Sequence, residues 1–219
     1  RAENNEIIEH MGYTLSYNSA NLIPNWVAYE LSQFDVNGSV PRSKKFMPDP
    51  DIEGPQAHDS DYKHSGWDRG HMAPAGDMKW SSQAMAESFY LSNICPQNQN
   101  LNRGDWKELE ELARNLSAKY KRVYIVCGPI VTNNKYKTIG GNKVIVPDCF
   151  YKAFLVRTGE NYSAVGFIMP NESGNRKLTA YVCSVDSLEH VLGMNLFYNL
   201  PDSVESIVEQ RVVLPDWGL

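Results

Sequence analysis

At 219 residues, with 42% hydrophobic and 21% charged side chains, the chain has the make-up of a folded protein with a sizeable core, which excludes a largely disordered polymer. The formal net charge of −5 excludes attraction to polyanions through overall positive charge, although neither a local cationic cleft nor a bound divalent ion enters that balance. No apolar run is long enough to span a bilayer, and there is no internal repeat or low-complexity tract.

The first residues, GYTLSYN and NWVAYELS, read as two short strands divided by the turn-rich SANLIPN. From Met47 to Ser65 the sequence is rich in Pro, Gly, Asp and His without periodicity and reads as a long irregular segment, a type that is often functional. WDRGHMAP is extended up to Pro74. SSQAMAESF then reads as a short helix capped by Ser81 or Ser82, and YLSNICPQ as strand or loop stopped by Pro96. Over 104–120, Trp106, Leu109, Leu112, Ala113, Leu116 and Tyr120 recur at helical spacing, with Lys, Glu and Arg on the other side. RVYIVCGPI is a buried strand. KVIVPDCFYKAFLVR and YSAVGFIMP supply two or three more, with a turn at Gly140-Gly141. SVDSLEHVLGM and SVESIVEQ close the chain as helices. The order implies an α+β fold with a largely antiparallel sheet, laid out as a single domain over residues 1–219.

Cys95, Cys127, Cys149 and Cys183 form no CxxC pair and no zinc-ribbon spacing. Cys127, in VYIVCGPIV, reads as a core thiol, and spacing alone does not pair the four into disulfides. The chain opens on Arg1 and not on Met, which reads as the loss of an N-terminal targeting segment.

The chemically informative stretch runs from Asp68 to Glu110. His71 follows Asp68-Arg69-Gly70, Asn93 lies in SNICPQNQN, Asn102 in LNRGDW, and Glu110 on the helix beyond. Each has an ordinary structural reading. A histidine serves many roles, an asparagine near a helix start caps it, a glutamate on a helix is solvated, and an arginine pairs at the surface. A zinc set of His58, Asp61, His64 and His71 lacks the short fixed intervals that zinc sites show.

Taken together, DRGH followed by Met-Ala-Pro, then SNICPQ, then LNRGDWKELE resembles the DNA/RNA non-specific endonuclease family, which has secreted bacterial and mitochondrial members. The likeness extends to GYTLSYN and NWVAYEL upstream and to VCGPI, VPDCFYK and SVDSLEHVLG downstream. It implies a ββα-metal (His-Me finger) nuclease fold with a central, mainly antiparallel sheet flanked by helices. It implies a metal-dependent phosphodiester hydrolase acting on DNA and RNA, leaving 5′-phosphate and 3′-hydroxyl ends. His71 would be the general base, suited to neutral pH by an imidazole pKa of about 6.5. Asn102 would bind one Mg²⁺ through its amide oxygen, with Mn²⁺ or another divalent cation able to substitute.

Glu110, eight residues after Asn102 on what reads as the same helix, would accept hydrogen bonds from metal-bound water. Arg69 would stabilise charge or hold the substrate, and Asn93 would orient the His71 region. Arg42, in VPRSKKF, resembles an upstream phosphate-contacting arginine, with Lys44 as the alternative register. A secreted or periplasmic address, with an organelle as the alternative, and an optional homodimer complete the expectations.

Overall fold

The computed structural model describes residues 5–132 and 136–219. Along them run β1 (Asn5–Glu9), β2 (Thr14–Asn18), β3 (Ile23–Ser32), α1 (Asp59–Tyr62), β4 (Asp68–His71), α2 (Ser82–Glu87), β5 (Ile94–Gln97), α3 (Gln99–Arg103) and α4 (Asp105–Tyr120). They are followed by β6 (Arg122–Ile130), β7 (Thr138–Ile139), β8 (Val144–Ile145), β9 (Cys149–Thr158), β10 (Asn161–Pro170), β11 (Val182–Cys183), α5 (Val185–Leu192), α6 (Asp202–Val208) and α7 (Leu214–Trp217).

One sheet takes the order β1-β2-β3-β6-β9-β10-β11, and every pairing within it is antiparallel. It separates two apolar layers, and strand alternation assigns residues to each. Val123, Ile125 and Cys127 of β6, with Phe150, Phe154 and Val156 of β9, face the larger layer under α4. Val126, Tyr151, Ala153 and Leu155 face the smaller layer with Val185 and Leu188 of α5. The α+β architecture, mainly antiparallel with helices on its faces, is the one the sequence implies.

The helix from Asp105 forms as expected because Trp106, Leu109, Ala113 and Leu116 make one buried stripe. Trp106 meets Phe150 with ring centroids 5.6 Å apart. At the chain's end Trp217 docks on Phe154 at 6.5 Å, and Tyr120 Oη donates to the Asp216 carbonyl at 2.7 Å. Ser81, not Ser82, caps α2, accepting from the Ala84 amide at 3.3 Å.

Three boundaries differ from expectation. NEIIE forms an edge strand, β1, which buries Ile8. Pro24 lies inside β3, where a turn was expected. Pro96 does not stop β5, which continues to Gln97 and pairs Arg69 with Pro96 in an isolated two-stranded ladder; a ladder two strands wide tolerates a residue without an amide proton. The 47–65 segment is irregular apart from the four-residue α1. It is tied down where the Leu91 amide donates to the Met47 carbonyl at 2.9 Å. The turn between β7 and β8 packs against α1 at Gly140, whose φ is +67° and where a Cβ would collide with Asp61.

Candidate active site

β4 and β5 form an antiparallel pair, and α3 and α4 follow directly, so two strands and a helix make a unit packed on the large layer of the sheet. Gly70 allows it: a Cβ there would lie 2.3 Å from Gln97 Oε1. The next three residues are held by side chains from other elements. Trp106 Nε1 donates to the His71 carbonyl at 3.2 Å, and Cys127 Sγ and Lys152 Nζ approach the Met72 carbonyl at 3.3 Å and 3.4 Å. Asn93 closes the cradle, accepting from the Ala73 amide at 2.9 Å and donating to the Ala73 and Ser88 carbonyls at 2.9 Å each.

The His71 imidazole is 7% exposed. It packs edge-on to Phe89 at 4.9 Å and tilted to Phe46 at 5.6 Å. Its Nε2 is buried and hydrogen-bonds to no described residue. Burial, and after it the Arg42 charge, push the imidazole down to about 3, so the ordinary value near neutrality expected from sequence is not found. Arg42 stacks over Phe89 at 5.2 Å, which brings it to the His71 pocket.

Asn102 is half-buried in α3 and not in the first turn of α4, because Gly104 separates the two helices with φ −111° and ψ −108°. Nor does it cap: Asn98 does, accepting from the Asn100 and Leu101 amides. Instead Asn102 Nδ2 donates to Asp68 Oδ2 at 2.9 Å, and Arg103 forks onto the same carboxylate through two bonds of 2.8 Å. With the amide nitrogen engaged, the oxygen is the end left for a cation, and a neutral oxygen donor beside a carboxylate suits Mg²⁺.

Arg69 shares the His71 face of β4 by alternation. Its Nε lies 2.7 Å from Asp59 Oδ1, and its guanidinium lies over Phe46 at 5.4 Å and Tyr62 at 5.5 Å. Glu110 is half-buried. Burial pushes its carboxyl up to about 7, opposed by Lys152, Arg114 and Arg42 and reinforced by Asp77. Arg114 in turn pairs with Asp77 at 2.7 Å.

The six sequence-derived residues therefore fall on or against one unit. His71, Arg42 and Glu110 are electrostatic neighbours, Asn93 holds the His71 backbone, and Asn102 is tied to the motif strand through Asp68. Among the described residues no hydrogen bond or ion pair joins Asn102 to His71 or Glu110. Asp68, Arg103, Asp77, Arg114 and Lys152 join these residues without a role assigned from sequence. Arg114 carried a usable signal, four residues after Glu110 on one helix face, whereas the partners of Lys152 come from distant strands.

The zinc set is not assembled, since Asp61 is committed to Asn142 at 2.9 Å and to the His58 amide at 2.8 Å. Among the described residues one group, His10, Asp49 and Asp51, brings three ligand atoms within 4.8 Å of one another. Two of the three are already engaged, with His10 Nε2 2.8 Å from Asp49 Oδ2 and Ser92 Oγ donating to that same oxygen. All four cysteines are free.

A sheet backed by a β4–β5 pair and the helices α3 and α4, presenting a buried histidine on β4 and an anchored asparagine on α3, is the ββα-metal nuclease fold. The model of the DNA/RNA non-specific endonuclease family matches residues 2–203, and the chain belongs to that family. It is 39% identical over 211 residues to the mitochondrial nuclease EXOG of Xenopus laevis, covering 89% of this chain and 59% of the relative. It is 32% identical over 202 residues to the mitochondrial endonuclease G of Bos taurus, covering 86% and 68%. A solved EndoG chain, from its complex with EndoGI, superposes with a TM-score of 0.85 at 33% identity, covering 91% of this chain and 89% of that one. The chain thus spans about three-fifths of the length of the EXOG relatives.

Proposed function

We propose that this chain is a Mg²⁺-dependent endonuclease that hydrolyses phosphodiester bonds of DNA and RNA alike, leaving 5′-phosphate and 3′-hydroxyl ends, with residues 1–219 acting as one catalytic domain. The observation that carries the reading is His71 Nε2, an imidazole nitrogen without a hydrogen-bond partner among the described residues, lined by Phe46 and Phe89 on a backbone anchored from three elements.

His71 takes the proton of the water that attacks phosphorus. Its depressed pKa keeps it unprotonated at neutral pH, and a phosphate anion beside it raises its proton affinity towards the useful range. Asn102 Oδ1 would hold the Mg²⁺, with Mn²⁺ or another divalent cation able to substitute, and the chemistry supplied on binding would be neutralisation of charge on the phosphate and the leaving oxygen. Glu110 orients water through its carboxylate, the form a nearby cation favours. Arg42 and Arg69 pair with phosphate oxygens, and Asn93 keeps the strand exit rigid. Reading phosphate and no base edge makes the cleavage indifferent to sequence. An organellar setting has the support of relatives named as mitochondrial, and the secreted or periplasmic address has none from them. A homodimer belongs to the proposal and is checked by sedimentation.

Supercoiled plasmid and a structured RNA, incubated with Mg²⁺ or EDTA and end-mapped, test the reading. Cleavage of both substrates, abolished by EDTA and by His71→Ala, is expected. Undiminished cutting in EDTA overturns it.

A further inference from the structure

Lys152 occupies the inward face of β9 between Phe150 and Phe154, a position where alternation calls for an apolar side chain. It is 0% exposed. Burying an ammonium is costly unless it is paired, yet among the described residues no carboxylate lies within ion-pair distance of Nζ. What Nζ meets is the Met72 carbonyl at 3.4 Å and the Trp106 ring at 4.5 Å. Cys127, directly opposite Lys152 in the β6–β9 register, reaches the same carbonyl, and Trp106 holds the carbonyl of His71. The packing of the sheet does not need this charge, and its contacts converge on the two residues where β4 ends.

We propose that Lys152 is a positioning residue for the reaction: its ammonium, braced by Trp106, clamps the Met72 carbonyl and so fixes the direction in which the adjoining His71 presents its imidazole. The inference rests on the reading of His71 as the base, but its geometric part does not depend on activity. The ammonium also acts at longer range on Glu110 and Asp77, which places one buried cation behind both the base and the acidic side of the site.

The test compares wild type, Lys152→Met, which keeps length and loses the charge and donor, and Phe154→Leu, a control at the next inward position of β9. In metal-free protein, ¹⁵N-labelled imidazole spectra report His71 directly. With plasmid and Mg²⁺, kcat and KM are measured separately. Lys152→Met is expected to move or broaden the His71 signals and to lower kcat about tenfold or more at unchanged KM, because small misplacements of a reacting group are costly. Phe154→Leu should do neither. Lys152→Met with wild-type His71 signals and kcat within about twofold of wild type overturns the proposal. If that variant does not fold, Lys152→Gln decides by the same criteria. If the wild-type protein does not cleave nucleic acid, the nuclease reading fails by itself, and the imidazole spectra alone decide the clamp.

Discussion

Asn102 Nδ2 donates to Asp68 Oδ2 at 2.9 Å, so the strand that ends in His71 also sets which end of the Asn102 amide is left free for the proposed cation. Asp68 is gripped in turn by Arg103. Substituting Asp68 by Ala frees the amide to rotate. It should weaken Mn²⁺ binding about 10- to 100-fold, the usual cost of losing an outer partner of a metal ligand, while Arg103→Ala, at an exposed pair, should cost much less. Calorimetric titration with Mn²⁺ checks this, and equal affinities for wild type and Asp68→Ala would contradict it.

Glu110 gives a pH-dependent stability with a definite sign. Its carboxyl is raised from 4.5 to about 7 by burial, so the fold holds this proton more tightly than the unfolded chain does. That stabilisation is complete below about pH 4.5 and disappears as pH rises through about 7. In metal-free buffer Glu110→Gln should therefore be more stable than wild type at pH 8, by about 1–3 kcal/mol, and close to it at pH 5. Thermal unfolding at the two pH values decides, and an equal difference at both would rule the account out.

His71 has the opposite sign. Its imidazole is depressed from 6.5 to about 3, so its contribution to stability is present above about pH 6.5 and is lost as pH falls towards 3. His71→Asn should resist acid unfolding better than wild type. Arg42→Gln should raise the imidazole pKa without restoring it to 6.5, since burial is the larger cause. An NMR titration of the ring reads both effects of charge and burial, and an unmoved midpoint in Arg42→Gln would exclude Arg42 from the pocket.

Asn93 is fully buried and makes three side-chain hydrogen bonds to main-chain groups around Ala73 and Ser88. Removing them in Asn93→Ala leaves buried donors and acceptors unsatisfied and should destabilise the fold by about 2–4 kcal/mol. Asn102→Ala, half-buried and with one side-chain hydrogen bond among the described residues, to the Asp68 carboxylate, should cost about 1 kcal/mol or less. Denaturant unfolding separates the two, and comparable losses would mean that Asn102 is structural.

Much of this was legible in the sequence because it depends on local order. The stripe Trp106, Leu109, Ala113 and Leu116 wrote α4, and the apolar runs VYIVC and CFYKAFLV wrote β6 and β9. DRGH, SNICPQ and LNRGDW in order named the candidate site. What stayed hidden is what folding alone brings together. Burial turned His71 into a weak base and Glu110 into a weak acid. Gly104 cut Asn102 off from the long helix. Lys152, an apparent break in an apolar run, became the cation under the site because Met72 lies 80 residues away in sequence. The Pro96 expectation failed since a two-stranded ladder leaves its outer edge unpaired.

Anomalous scattering from Mn²⁺ in crystals of the protein decides whether Asn102 and His71 build one metal-dependent site. A peak is expected beside Asn102 Oδ1, within reach of a phosphate that also meets His71 Nε2. A peak confined to His10, Asp49 and Asp51, where three ligand atoms also lie within 4.8 Å of one another, would contradict it.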